Sequence, residues 1–243
     1  MSKLLNVSSS PHVRCGVSTK NLMYDVAIAM LPATIWGVMQ FGIYSLIVVV
    51  ATVLSCVLSE YLFETLMHKP VTISDGSALV TGMILGLNMP PAIPLWMPIL
   101  GGVFAIIVVK QLYGGLGQNW MNPALAARCF MLISFAQAMT KFTDPVTDAV
   151  ASATPLAAIK AGDTYDVAAM FIGKIPGTIG EVSVIALLIG AAYLLVKKVI
   201  TIRIPAAYIL SFAVFAFIFG QHNINYVLAE VCGGRLIFGA FFM

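Results

Sequence analysis

Apolar residues along this chain form long, nearly unbroken runs, and short polar stretches separate the runs. A helix needs about 20 mostly apolar residues to cross the hydrocarbon core of a membrane. The runs therefore predict an integral membrane protein of the all-α class, with about eight membrane elements. They cover, approximately, residues 23–41, 43–63, 77–90, 94–112, 123–139, 180–197, 204–220 and 226–243.

Two of these elements are interrupted. The third, SALVTGMILGLNM, stops at Pro90 and Pro91, and the last contains Gly233, Gly234 and Arg235. A broken helix at membrane depth is tolerated only where its free backbone groups are buried in protein or line a cavity. The breaks predict a polytopic bundle with a binding site close to them.

The composition fits a membrane protein. Of the 243 residues, 60% are hydrophobic and 9% are charged, whereas soluble domains have about 25% charged residues. The net charge of +3 is explained by basic loops on one side of a membrane. Nothing in the sequence supports nucleic-acid binding.

Basic residues in the short loops predict the orientation, because such loops stay in the cytoplasm. The N-terminal stretch around SSSPH is polar and lacks the apolar run of a signal peptide. We therefore predict a multi-pass protein of the cytoplasmic membrane with a cytoplasmic N-terminus. The basic loop positions are His68, Lys69, Lys110, Lys197, Lys198 and Arg203.

This topology divides the chain into four regions. A cytoplasmic N-terminal segment covers residues 1–22, a first transmembrane bundle 23–140, an extracytoplasmic loop 141–179, and the start of a second bundle 180–243. Loops as long as the third region are usually functional.

The long loop contains the stretch DAVASATPL, which is rich in small residues. Thr154 can act as the N-cap of a short helix, TPLAAI, with Pro155 at its first position. The residue pattern alone favours this capping role.

The stretch PGTIGEVS opens the sixth element and allows two interpretations. Thr178 and Glu181 have the spacing of a capping box at a helix start. A helix N-terminus beside Gly177 and Gly180 also suits a bound phosphate, because its free N–H groups can be approached closely. The sequence leaves both interpretations open.

The stretch GGLGQNWMNPALAARCF leads into the fifth element. Asn119 and Asn122 can cap that helix, while the glycines allow tight packing. Amide side chains after a glycine-rich turn can equally line a cofactor site or an ion path.

Ionisable residues within membrane elements are functional hypotheses by default. Asp25 and Glu60 lie near predicted helix ends, so we expect them to reach water or to pair with a basic neighbour. An ion-path role for Glu230 or Arg235 stays open. No metal site is predicted, because the candidate ligands stand alone in the sequence. They are His12, His68, His222, Cys15, Cys56, Cys129 and Cys232.

Three ordered stretches are together similar to one family of membrane proteins. They are VSSSPHVRCGVSTKNLMYDVAIAMLPA, SDGSALVTGMILGLNMPPAIPLWMPILGGVFAIIVVKQLYGGLGQNWMNPALAARCF and GKIPGTIGEVSVIALLIGAAYLLVKKVITIRIP. They resemble the D subunit of the Rnf complex and, more distantly, the B subunit of the sodium-translocating NADH:quinone reductase. The resemblance runs almost continuously from Val7 to Met243.

The resemblance implies a function in electron transfer. It implies a subunit of a bacterial inner-membrane complex that couples ferredoxin oxidation and NAD⁺ reduction to transport of Na⁺ or H⁺. The implied partners are the other subunits of that complex, among them a second flavinylated subunit and iron–sulfur membrane subunits. No G-x-G-x-x-G motif follows a strand here, so NAD and ferredoxin sites are expected on the partners.

The family carries FMN joined through its phosphate to a threonine, in a motif close to D-G-x-S/T-G-A-T that a flavin transferase recognises. Asp148, Ala153 and Thr154 match this motif, which makes Thr154 the implied attachment site. Ala149 and Ser152 stand where the motif has its two glycines, and Ala151 stands where the motif has serine or threonine. A transferase has to reach the hydroxyl, and an exposed loop of small residues suits that requirement.

Other flavin contacts are expected from the same resemblance. Thr178, Gly180 and Glu181 are candidates to seat the phosphate or ring of the covalent FMN. A second, non-covalent flavin such as riboflavin is expected near Asn119, Asn122 and Asp75, the last of which belongs to the SDGSALVTG stretch.

The resemblance also implies the architecture, an inverted repeat of two five-span bundles similar to the urea-transporter fold. The last run, VLAEVCGGRLIFGAFFM, is similar to the broken element of the second bundle, so we expect an incomplete second repeat. Broken helices in inverted repeats also occur in channels and solute transporters, and a scaffold that only anchors other subunits is a third alternative.

Overall fold

The protein is described by a computed structural model that covers residues 18–143, 150–151, 171, 173, 175–219, 227 and 234–243. Helices dominate the described part of the chain, which confirms the predicted all-α membrane class. The helices are α1 Thr19–Phe41, α2 Ile43–Leu66, α3 Ser77–Leu87, α4 Trp96–Val103, α5 Pro123–Ser134, α6 Ala136–Met139, α7 Val184–Val196, α8 Arg203–Phe219 and α9 Arg235–Phe242. The described elements also include a 3-10 turn at Ile73–Asp75 and one pair of short antiparallel strands, β1 Phe142–Thr143 and β2 Val150–Ala151.

Three of the described helices are long and apolar enough to cross a membrane, namely Thr19–Phe41, Ile43–Leu66 and Trp96–Tyr113. The third of these is α4 with its continuation, which widens into a π-helix at Phe104–Lys110 and ends in a 3-10 turn at Gln111–Tyr113. Four shorter apolar helices, α3, α5, α7 and α8, lie beside them. The bounds agree with the apolar runs to within a few residues.

Helix α8 exposes large apolar side chains along its length, including Leu210, Phe215 and Phe219. In water such a face would be unfavourable, whereas lipid tails solvate it. The exposed face of α8 therefore fits a lipid-facing surface.

Two glycines let α2 and α3 approach closely. A Cβ atom added at Gly82 would lie 2.6 Å from the Cα of Val53, and one added at Gly86 would lie 3.0 Å from the Cα of Val49. The two glycines are four residues apart, the G-x-x-x-G spacing that allows backbone contact between membrane helices. This pair of helices forms the centre of the first bundle.

Helix α3 is a half-span. Its 11 residues extend about 16 Å at 1.5 Å per residue, roughly half of the hydrocarbon core. Asn88 ends the helix, and Pro90 and Pro91 prevent its continuation because they lack the N–H groups a helix requires. The predicted break in the third element is thus confirmed.

Helix α7 is also short, with 13 residues, and its start corrects one prediction. Its N-cap is Ser183, whose Oγ accepts a hydrogen bond from the N–H of Ala186 at 3.3 Å. The capping box predicted from Thr178 and Glu181 is wrong. Two arginines bind the carboxylate of Glu181, and the Thr178 hydroxyl has no partner among the described residues.

The segment before α7 packs directly on the broken end of α3. The N–H of Ile179 donates to the Met89 carbonyl at 3.1 Å, and the N–H of Gly180 donates to the Leu87 carbonyl at 2.8 Å. A Cβ atom at Gly180 would lie 2.6 Å from the Cβ of Leu87, so glycine is required for this contact. The end of α3 and the segment before α7 therefore satisfy each other's backbone groups. We call α3 and α7 the half-helices.

Candidate functional site

A buried ion pair joins α2 to the end of the π-helical segment. The ammonium of Lys110 lies 2.5 Å from Glu60 Oε1, and both side chains are at most 2% exposed. Lys110 also donates to the Ser77 hydroxyl at 2.6 Å. The prediction that Glu60 pairs with a basic neighbour is confirmed, but the expectation that it reaches water is wrong, because it is fully buried.

At the end of the π-helix, two consecutive residues, Lys110 and Gln111, both donate hydrogen bonds to Glu60. Beside Lys110, the Nε2 of Gln111 donates to Glu60 Oε1 at 2.8 Å and to Glu64 Oε1 at 3.1 Å. π-Helical turns are rare and frequently mark functional sites. Here the turn completes a buried polar network at one end of the bundle.

The network extends towards the loop that precedes α3. Glu64 accepts hydrogen bonds from the backbone N–H of Thr72 at 2.9 Å and from its hydroxyl at 2.5 Å. Asp75 Oδ1 accepts from the N–H of Ser77 at 2.8 Å and from its hydroxyl at 2.7 Å. Ser77 thus connects Asp75 to the ammonium of Lys110.

A cavity of about 320 Å³ lies against this network, and we call it the Lys110 cavity. Lys110, Ser77, Asn119 and Asn122 line it together with apolar side chains. The Oδ1 atom of Asn119 is buried and has no hydrogen-bond partner among the described residues. Sequence reasoning placed Asn119 and Asn122 at one site, and both do line this cavity, while Asp75 contacts it only through Ser77.

Asn122 also has the capping role that the sequence suggested. It is the N-cap of α5, and its Oδ1 accepts from the N–H of Ala124 at 3.0 Å, with Pro123 at the first position of the helix.

Replacing Asn122 with alanine should lower the free energy of unfolding by about 1 kcal/mol, because a helix N–H loses its acceptor. The measurement is the apparent Tm of the purified chain in detergent. Asn122→Ser is the matched control and should retain most of the stability, since serine caps helices as well as asparagine does. Equal Tm values for the alanine and serine variants would contradict the capping role.

A second ionic cluster lies where the half-helices meet. Glu181 is buried, and its two carboxylate oxygens accept from Arg128 at 2.9 Å and from Arg235 at 3.1 Å. Arg128 also donates to the Oδ1 of Asn88, at the end of α3. One carboxylate therefore connects α5, α9 and the segment before α7.

A cavity of about 450 Å³ adjoins this cluster, lined by Arg128, Arg235 and Tyr208 among others. Arg235, for which the sequence left an ion-path role open, is thus bound to Glu181. Glu230, the other residue of that hypothesis, lies outside the described residues.

A third cavity, of about 680 Å³, lies at the other end of the bundle from the Lys110 cavity, and we call it the Phe135 cavity. It is mainly apolar, and Phe135, Gln137 and Lys141 are among its lining residues. Lys141 directly precedes β1, in which Phe142 pairs with Ala151 of β2. The strand pair brings residue 151 of the long loop close to this cavity.

The proposed attachment site lies outside the described residues. Asp148, Ser152, Ala153 and Thr154 all fall there, so the predicted helix TPLAAI and the flavin motif stay predictions.

Asp25 forms the predicted pair at a helix end. It accepts from the Tyr193 hydroxyl at 2.8 Å and lies 3.9 Å from the Lys197 ammonium. Among the described residues, no group of three or more His, Cys, Asp or Glu side chains is placed to hold a metal. Cys56 and Cys129 are free thiols.

Sequence reasoning missed the roles of Lys110, Gln111 and Arg128. Lys110 was assigned to a cytoplasmic loop from its charge alone, and Gln111 and Arg128 were not singled out. A polar Lys-Gln pair directly after six apolar residues, FAIIVV, was a usable signal, because a charge adjoining a span is frequently paired inside the protein.

Comparisons with known proteins show to which family the chain belongs. The chain is 46% identical to the D subunit of the Na(+)-translocating ferredoxin:NAD(+) oxidoreductase complex of Acetobacterium woodii, over 98% of this chain and 76% of that protein. It is 38% identical to the proton-translocating counterpart of Clostridium ljungdahlii, over 99% of this chain and 78% of that protein. It is 31% identical to the D subunit of the ion-translocating oxidoreductase complex of Halorhodospira halophila, over 97% of this chain and 77% of that protein. Since residues 6–243 also match the family as a whole, the chain belongs to the NQR2, RnfD, RnfE family.

Proposed function

We propose that this chain is a membrane flavoprotein subunit of an ion-translocating ferredoxin:NAD⁺ oxidoreductase. The observation that carries the proposal is the similarity, over nearly the whole chain, to the D subunits of two such complexes. Those two relatives are named for different ions, so the proposal includes either Na⁺ or H⁺ as the transported ion. The other subunits of the complex supply the sites for ferredoxin and NAD⁺.

The first proposed cofactor is FMN attached through its phosphate to Thr154. Asp148 and Ala153 match the recognition motif for the flavin transferase, and Ser152 stands where that motif has a glycine. Thr154 follows β2 by three residues in the sequence, and β2 pairs with β1, which directly follows Lys141 at the Phe135 cavity. A mainly apolar cavity of about 680 Å³ has room for an isoalloxazine ring.

The buried segment before α7 is the next candidate contact for this flavin. Thr178 is 1% exposed and its hydroxyl has no partner among the described residues. A buried hydroxyl normally has a hydrogen-bond partner. The phosphate or the polar ring edge of a flavin has the acceptor atoms for this hydrogen bond. Gly180 and Glu181 hold the segment in place by their contacts with Leu87 and the two arginines.

The second proposed cofactor is a non-covalent flavin, such as riboflavin, in the Lys110 cavity. The lining groups fit the polar edge of an isoalloxazine, because Lys110 and the Asn122 amide donate hydrogen bonds and Asn119 Oδ1 is a free acceptor among the described residues. Asp75 supports this edge indirectly by orienting Ser77. When bound, the two flavins supply the electron-transfer chemistry, and the protein supplies their position and surroundings.

The proposed orientation places the two flavins on opposite sides of the membrane. A cytoplasmic N-terminus puts the Lys110 cavity on the cytoplasmic side of the bacterial inner membrane, and Thr154 on the outer side. Electrons then cross the membrane through this subunit, between the iron–sulfur and flavin groups of its partners. A flavin transferase completes the chain after insertion.

The packing between the half-helices argues against the alternative of an open channel. Leu87, Met89 and Ile179 are at most 1% exposed where the half-helices meet, and the backbone groups there bind each other. A conducting path needs solvated groups at this depth. The described packing fits a redox subunit better than a pore.

Thr154→Val should abolish the covalent flavin, because valine keeps the shape of threonine but has no hydroxyl to esterify. The chain is produced together with its flavin transferase, denatured, and examined by in-gel flavin fluorescence and intact mass. We expect a fluorescent wild-type band with the added mass of FMN minus water, and a dark Thr154→Val band of unmodified mass. Membrane insertion should be unchanged.

Ser152→Ala is the matched control, since it removes the neighbouring hydroxyl of the same loop and should remain fluorescent. Asp148→Ala should lower the extent of modification if the transferase reads the motif. Fluorescence that persists on Thr154→Val, or a dark wild-type band in the presence of active transferase, would refute the assignment of Thr154.

A further inference from the structure

The ammonium of Lys110 separates the Lys110 cavity from a set of buried carboxylates. On one side it lines the cavity, and on the other it lies 2.5 Å from Glu60 Oε1. Its third neighbour is the Ser77 hydroxyl, at 2.6 Å. Any negative charge that enters the cavity must therefore compete with Glu60 for the same ammonium.

The carboxylates around Lys110 outnumber their cations among the described residues. Glu60, Glu64 and Asp75 are within one hydrogen-bonded network, whereas Lys110 is its single ammonium. Cys56 is the other titratable group near Glu60, one turn earlier on α2. A buried cluster with excess negative charge attracts a small cation.

One oxygen of Glu60 is free to bind such a cation. Oε1 accepts from both Lys110 and Gln111, but Oε2 is buried and has no partner among the described residues. A buried carboxylate oxygen without a partner is unfavourable. It becomes satisfied when a proton or a sodium ion binds to it.

We propose that Lys110 is an electrostatic link between the Lys110 cavity and Glu60, through which negative charge in the cavity controls the binding of a monovalent cation at Glu60 Oε2. The inference rests on the proposed function, because it needs a redox group in that cavity. Lys110 is a positioning residue in this scheme, and Glu60 is the cation ligand.

The charges balance at each step. An electron from a reduced iron–sulfur carrier of the complex would add one negative charge to a redox group held in the cavity. The Lys110 ammonium would then move towards that charge and away from Glu60, and one Na⁺ or H⁺ would bind to the buried Glu60 carboxylate that the ammonium has left. When the electron leaves, the ammonium returns to Glu60 and the cation is released, so the net charge of the site is unchanged over the cycle.

The test is the reduction potential of the non-covalent flavin in the purified complex, with Thr154→Val in this chain to remove its covalent flavin. The flavin content is first measured by acid extraction. Redox titrations then follow the absorbance of the bound flavin in one series of Na⁺ concentrations at fixed pH, and in a second series of pH values without Na⁺. If one cation binds per electron, the potential should rise by about 59 mV for each tenfold increase in the active cation.

Variants test the roles of Glu60 and Lys110 separately. Glu60→Gln keeps the shape of the side chain and should remove the dependence on Na⁺, or the part of the pH dependence that exceeds the flavin ring's own proton uptake. Lys110→Met should lower the potential and also remove its dependence on the cation. If Lys110→Met does not assemble, Lys110→Arg takes its place and should retain part of that dependence. Asp25→Asn, which breaks a helix-end ion pair elsewhere in the bundle, is the control and should leave the slope unchanged.

Each outcome decides one point. A Na⁺ slope that is lost in Glu60→Gln identifies sodium. A reduced flavin ring also takes up protons itself, so the part of the pH slope that is lost in Glu60→Gln identifies a proton at Glu60. A potential whose dependence on Na⁺ and on pH is the same in Glu60→Gln as in the wild type would overturn this inference while leaving the flavin site intact. A complex without extractable flavin would overturn the second flavin of the proposed function and this inference with it.

Discussion

Glu181→Ala is expected to destabilise the folded protein strongly. The Glu181 side chain is only 4% exposed and binds two arginines, one of which, Arg128, is itself 23% exposed. Removing one partner of a buried ionic cluster leaves an uncompensated charge, which destabilises a protein by about 3–5 kcal/mol. Arg235 is 47% exposed and can turn towards a more polar region, so we expect a loss at the lower end of this range.

The apparent Tm of the chain in detergent checks this prediction, and a fall on the order of 10 °C is expected. Glu181→Gln is the matched control, because an amide oxygen still accepts one hydrogen bond without the charge, and its loss should be smaller. Arg235→Ala should have the smallest effect of the three, since that side chain is half exposed. A Glu181→Ala protein with the wild-type Tm would show that the cluster does not hold the helices together.

Gly82→Ala is expected to separate α2 from α3. The new methyl group would lie 2.6 Å from the Cα of Val53, and backbone atoms cannot turn away as a side chain can. Extra atoms in a tightly packed core destabilise by about 1–3 kcal/mol. The shift should also displace Ser77 and the Lys110 cavity, because both depend on the position of α3.

Gly101→Ala is the control for this prediction. It adds the same methyl group to a neighbouring helix, α4, where the nearest atoms belong to the flexible side chains of Met131 and Leu85 at 3.4–3.5 Å. We expect the Tm of Gly101→Ala to stay near that of the wild type, and that of Gly82→Ala to fall by several degrees. Equal Tm values would mean that α2 and α3 can move apart without loss.

Helix positions were predictable because they depend on local properties of the sequence. The apolar runs located α1, α2 and α4, and the Pro90-Pro91 pair located the end of α3, since proline cannot continue a helix. The cap of α5 was likewise visible, because Asn122 and Pro123 are adjacent in the sequence.

The ionic contacts were not predictable, because they join residues far apart in the chain. Lys110 and Glu60 are separated by 50 positions, and Glu181 and Arg128 by 53. The capping box of Thr178 and Glu181 failed for the same reason, since distant arginines bind the carboxylate that the local pattern assigned to a helix start. The motif around Thr154 was recognised by resemblance, and it stays a prediction.

The contact between the two half-helices also constrains the order of biosynthesis. The carbonyls of Leu87 and Met89 accept from Gly180 and Ile179, which emerge from the ribosome about ninety residues later. At roughly 5–20 residues per second, this interval lasts several seconds. During that time a nascent chain holds an unfinished helix end within the membrane, together with an Arg128 that lacks its carboxylate partner. The insertion machinery or another protein of the complex must therefore shelter them until the sixth apolar segment arrives.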